Sequence, residues 1–186
     1  MTSVGEIVQV TKEIVAQLTD VVGIVEKNIS SFDRITARYR RKRVTHRLET
    51  ILQKLTTMHY SCLTTLWLTA KLASEKGEQS LSELQKLDFP SADFDLRSFL
   101  DILLEIRDII DEYKSDIINT DYTVYERLDD CIYGRIKLVS MLLETDEKQY
   151  SIDKLKAMYA AYSDLIASLK KVKDELVSHL KESTIS

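Results

Sequence analysis

Few residues in this sequence are of types that do chemistry, and fewer are spaced to do it together. His59 and Cys62 stand three positions apart, so on a helix they share a face. An imidazole and a thiolate could give a zinc ion two ligands, but a closed zinc site takes four. Cys131 is the one further cysteine. The same pair has the residue types of an activated thiol. Activation needs an electropositive, partly exposed setting, whereas Cys62 falls on an apolar stripe and reads as an interior thiol. Gly5, Gly23, Gly77 and Gly134 are too dispersed for either G-x-x-x-x-G-K-[ST] or G-x-G-x-x-G, so no phosphate cradle is expected. The paired Glu-x-x-His motifs of a di-iron bundle do not occur. The 30 carboxylates alternate with apolar positions, as on solvated helix faces. These residues yield no catalytic group, metal centre, cofactor site or small-molecule substrate.

The most specific feature is a charge island. Segment 34–47 holds seven cations and no acid: Arg34, Arg38, Arg40, Arg41, Lys42, Arg43 and Arg47. The whole chain carries −4, so the remainder is strongly acidic, and 93–130 alone has 12 acids against four bases. The island is expected to act as a patch for an anionic partner. One source of anions is the 93–130 segment itself, in the same or a neighbouring molecule; such charge complementarity orients assembly. A second is nucleic acid, whose phosphates seven clustered cations could neutralise. A third is an anionic membrane surface, where each cation contributes about 1 kcal/mol. The polar face of the preceding segment carries Glu6, Glu13, Asp20, Glu26 and Asp33, which disfavours a membrane surface.

Four residues separate Arg41 from His46. That Arg-x4-His spacing is similar to the motif of HEPN-type ribonucleases. The resemblance implies a helical bundle with a composite site at a dimer interface and RNA cleavage dependent on His46. This chain has Lys42 where that family has a small polar residue, and the spacing falls early rather than late in the domain. The match covers six residues within an arginine cluster, and the reading carried forward is non-enzymatic.

These side chains must be positioned by helices. Glycine and proline total under 3% of the 186 residues, against roughly 12% on average, and they are the residues that helices exclude. Apolar residues recur at intervals of three and four from Ile7 through Val25 to Tyr39, and again from Val44 through Ile51 to Cys62. The two stripes differ in phase by roughly 140° at 100° per residue, with the jump at 40–43. We expect the chain to turn there, giving a helical hairpin over 4–76. A connector follows at 77–93, with Ser80 and Glu83 as a capping box for a short helix near 80–87. Further helices are expected at 94–119, 121–144 and 151–182.

The predicted fold is all-α: one domain over 1–186, an elongated antiparallel bundle of four to five long amphipathic helices. Leu63, Trp67 and Leu72 lie off the second stripe and mark a candidate protein interface. Seven of the nine tyrosines crowd the C-terminal half, where they would cap bundle edges or line a partner surface. Two isolated cysteines, an N-terminus without a basic n-region and no span-length apolar run point to a cytoplasmic protein. The expected function is protein–protein contact, as a homo-oligomer or as a small subunit of a larger complex. The alternatives are a nucleic-acid-binding accessory subunit and a membrane-surface bundle.

Overall fold

The computed structural model describes residues 4–27, 34–76, 91–144 and 152–185. Among these, the chain forms six helices and no strand: α1 (Val4–Lys27), α2 (Arg34–Lys76), α3 (Ser91–Glu112), α4 (Lys114–Thr120), α5 (Tyr122–Glu144) and α6 (Ile152–Ile185). The all-α bundle is therefore as the periodicity implies. The expected short helix near 80–87 lies outside the described residues.

The five long helices close a ring. α6 packs on both α1 and α2, α3 packs on α2 and α5, and α5 returns to α1. Their inner stripes fill the centre. From α2 come Val44, Leu48, Ile51, Leu55 and Met58, all fully buried. Phe99, Leu103, Ile106 and Ile110 come from α3, and Tyr162, Leu165 and Leu169 from α6. Each such side chain contributes about 1.5–3 kcal/mol of burial, so the stripes rather than local propensity hold the fold.

The sequence and the structure differ over the first turn. α1 ends at Lys27 and α2 begins at Arg34, so the chain does not turn at 40–43; the basic segment lies within one helix of 43 residues. At about 1.5 Å per residue it is ~65 Å long. Ile35 and Tyr39, which continue the α1 spacing, are exposed. They lie on the outer face of α2, opposite Ala37, Val44 and Leu48. The phase jump is thus the angle between the inner and outer faces of a single helix. Nor do α1 and α2 pair as a hairpin: they are not neighbours along their length, and α6 packs between them.

The stretch expected as one helix over 94–119 is interrupted at Tyr113, whose φ of −102° and ψ of 1° leave the helical region. Hydrogen bonding resumes with Ile117 N–H donating to Tyr113 O at 2.9 Å. Asp121 then separates α4 from α5. Its backbone is extended, and its Oδ1 accepts from Thr123 N–H at 2.9 Å and Thr123 Oγ1 at 2.6 Å. That arrangement is an N-cap. These hydrogen bonds hold the Asp121 carboxyl below the usual aspartate range.

Candidate functional site

α2 carries both candidate features of the sequence, the basic segment and the apolar surface beyond the core stripe. The ion-paired arginines of the basic segment and the apolar surface occupy different faces. At the inner edge of the basic segment Arg41 is buried, and its Nε donates to Glu26 Oε2 of α1 at 2.5 Å. The other carboxylate oxygen accepts from the Tyr113 hydroxyl at 3.0 Å. Arg40 lies over the Tyr113 ring, with its guanidinium carbon 4.5 Å from the centroid, and pairs with Asp116 of α4 and, at 3.8 Å, with Glu26. Burial, reinforced by the adjacent Glu26 charge, pushes the Tyr113 phenol far above its ordinary value.

Farther along α2 the pairing continues with α3. Arg43 binds Glu112 bidentately at 2.8 and 2.6 Å, Arg47 reaches Glu105 at 2.7 Å and Asp108 at 2.9 Å, and Lys54 reaches Asp101 at 2.7 Å. The Arg43 hydrogen bonds hold Glu112 below its ordinary value against the opposing effect of burial. Within the same chain, acids of the 93–130 segment thus meet four cations of α2, and Glu26 meets Arg41. Arg38 and Lys42 are exposed and form no ion pair among the described residues. The Arg34 side chain lies outside those described. The structure therefore divides the island: Arg40, Arg41, Arg43 and Arg47 join helices, while Arg38 and Lys42 face solvent.

The outer face is apolar at both ends. Tyr60, Leu63 and Trp67 recur at intervals of three and four toward the C-terminal end, with Ile35 and Tyr39 at the other; these five are 44–74% exposed. Lys71 Nζ lies 5.4 Å from the Trp67 ring centroid. Leu68, beside this line, is also exposed, whereas the side chain of Leu72 lies outside those described. Large apolar side chains grouped on one solvent face differ from the singly scattered ones of any surface.

The remaining candidates do not assemble. His59 stacks on Tyr159 of α6 with centroids 4.2 Å apart, and its Nε2 is buried without a hydrogen bond. Cys62 is buried, whereas Cys131 is exposed. Among the described residues no group of three or more His, Cys, Asp or Glu is placed to hold a metal ion. Arg41 is held by Glu26 inside the bundle, while His46 is exposed on the outer face. The tyrosines are dispersed too: Tyr113, Tyr125 and Tyr162 are buried, and Tyr122 and Tyr133 are exposed. Ile14 and Leu18 of α1 are buried in the bundle, and no described helix is long and apolar enough to cross a membrane.

Glu26 and Tyr113 escaped sequence reasoning as partners of the basic segment. In the sequence Glu26 follows Glu13 and Asp20 at intervals of seven and six, as one more acid of a polar face, and Tyr113 continues the α3 stripe. Only the net acidity of 93–130 pointed toward the α2–α3 pairing. No protein-family model, curated protein or solved structure matches the chain.

Proposed function

We propose that this protein is a non-enzymatic helical-bundle subunit that works by protein–protein contact, in the cytoplasm, through the outer face of α2. The observation that carries the reading is the exposure of Tyr60, Leu63 and Trp67 on one face of a helix whose opposite face already fills the core. Exposed apolar groups of this kind mark interaction sites, and buried aromatic anchors dominate interface energetics. Intramolecular pairing of Arg40, Arg41, Arg43 and Arg47 supports the same reading, because it reduces the charge the basic segment offers to a polyanion.

The test is a tagged pull-down from the native host with nuclease present, comparing wild type with Leu63→Glu/Trp67→Glu. Stoichiometric protein partners retained by wild type and lost by the variant are expected. Identical partner sets for the two proteins overturn the reading.

A further inference from the structure

We propose that the occupant of the outer α2 face is a second copy of this chain, its α2 lying antiparallel on the first about a two-fold axis. The proposal rests on the interaction reading above and names its partner.

From Ile35 to Trp67 one line of exposed positions runs along α2 at strictly alternating intervals of four and three: 35, 39, 42, 46, 49, 53, 56, 60, 63 and 67. Every one is exposed. That is the spacing of a heptad seam, here apolar at its two ends and polar from Lys42 to Thr56, and a slight left-handed supercoil keeps such a line aligned along its length. A two-fold interface must be self-complementary, with i meeting j and j meeting i. The seam satisfies this condition when read antiparallel. Ile35 falls opposite Trp67, Tyr39 opposite Leu63, and Lys42 opposite Tyr60. Around the axis, beside residue 51, His46 falls opposite Thr56 and Glu49 opposite Gln53.

This register gives apolar residues apolar partners at both ends and places the Lys42 ammonium against a tyrosine ring, a cation–π pairing. It sets no charge against its like. A parallel register would place Lys42 against Lys42 and Glu49 against Glu49, a like-charge juxtaposition that disfavours it. The central acid is already compensated, since Glu49 pairs with Lys173 of its own α6 at 2.9 Å. Hydroxyls along the face are also satisfied: Thr56, Thr57 and Thr64 donate to the carbonyls four residues before them at 2.7–3.1 Å. Covering these three strands no hydroxyl donor.

The contact is also large enough. At about 1.5 Å per residue the seam runs ~48 Å, and a strip ~10 Å wide buries roughly 1,000 Å² over two copies. That meets the lower bound for a specific interface.

The test is light scattering on the full chain over a concentration series, joined to site-directed cross-linking. A mass rising to twice the 21.5 kDa of one chain, and remaining at one chain for Leu63→Glu/Trp67→Glu with unchanged helical circular dichroism, is expected. On a Cys131→Ser background, mild oxidation should link a mixture of Tyr39→Cys and Leu63→Cys chains, and neither alone. Self-linking of Tyr39→Cys chains, a dimer indifferent to the Leu63/Trp67 change, or a monomer at every concentration overturns the proposal. In the last case the pull-down decides the broader reading: host partners lost with the variant leave it standing, and an unchanged set removes it too.

Discussion

Arg41 donates to Glu26 across 2.5 Å inside the bundle, joining the end of α1 to the first turns of α2, two helices that are not neighbours along their length. A buried pair of this kind adds little over a well-packed apolar substitute, because desolvation consumes most of the Coulombic gain. Breaking one half is another matter, since it leaves a charge buried and unpaired.

Glu26→Gln should therefore destabilise the fold by about 3 kcal/mol. Glu26→Leu combined with Arg41→Met should recover at least half of that loss. Urea denaturation of the two variants against wild type measures both quantities, and equal losses would show that the pair is not the unit.

Tyr113→Phe removes only the hydroxyl that donates to Glu26 at 3.0 Å, and should cost about 1–2 kcal/mol at neutral pH. The variant also isolates an alkaline effect. The folded phenol is raised above its ordinary value of 10.0, so the folded state keeps a proton that the unfolded state loses. The wild type's stability is intact below pH ~10 and falls above it by up to ~1.4 kcal/mol per pH unit from this group. The difference between wild type and Tyr113→Phe, followed by thermal melts from neutral to alkaline pH, should narrow above pH ~10.

Within the basic segment, neighbouring arginines should respond unequally to the same change. Arg38→Glu, at an exposed position, should shift stability by less than ~0.5 kcal/mol. Arg41→Glu sets a second acid against Glu26 and should cost more than ~3 kcal/mol. Similar melting temperatures for the two variants would contradict the pairing seen here.

Acid behaviour follows from Glu112, which Arg43 holds below the ordinary carboxylate value of 4.5. A depressed folded pKa contributes stability above the unfolded value and loses it as pH falls through the folded one. Because Arg43 is more than half exposed, the contribution is less than ~1 kcal/mol and weakens with salt. The stability gap between wild type and Arg43→Gln should hold steady above pH ~5 and close below pH ~4. A gap independent of pH would place the effect of Arg43 elsewhere.

The inner stripes were legible because burial enforces them: Val44, Leu48, Ile51, Leu55 and Met58 keep one phase over four turns, and all are buried. The first turn was misplaced for a related reason. Ile35 and Tyr39 extend the α1 spacing by coincidence, and periodicity alone cannot distinguish a core stripe from an apolar solvent face. The ion network was legible only as gross complementarity between 34–47 and 93–130. Which arginine meets which acid depends on how α3 is set against α2, and Glu26 enters only because the end of α1 reaches the same corner. On the outer face, Leu63 and Trp67 stood out because the opposite side of the helix already had a complete core stripe.

The ring order also determines when the bundle can close. α1 and α2 both lean on α6, and the pair Lys12–Asp164 joins α1 to α6 across 152 positions of chain. Contacts so distant in sequence slow folding, because the loop must close before they form. During synthesis α3 and α5 reach the bundle first, but the parts of the α1 and α2 stripes that face α6 have no mate until it emerges, a wait of roughly five to thirty seconds at usual elongation rates. A nascent chain halted before α6 would carry two long amphipathic helices with open faces, a substrate for holdase chaperones rather than a smaller bundle.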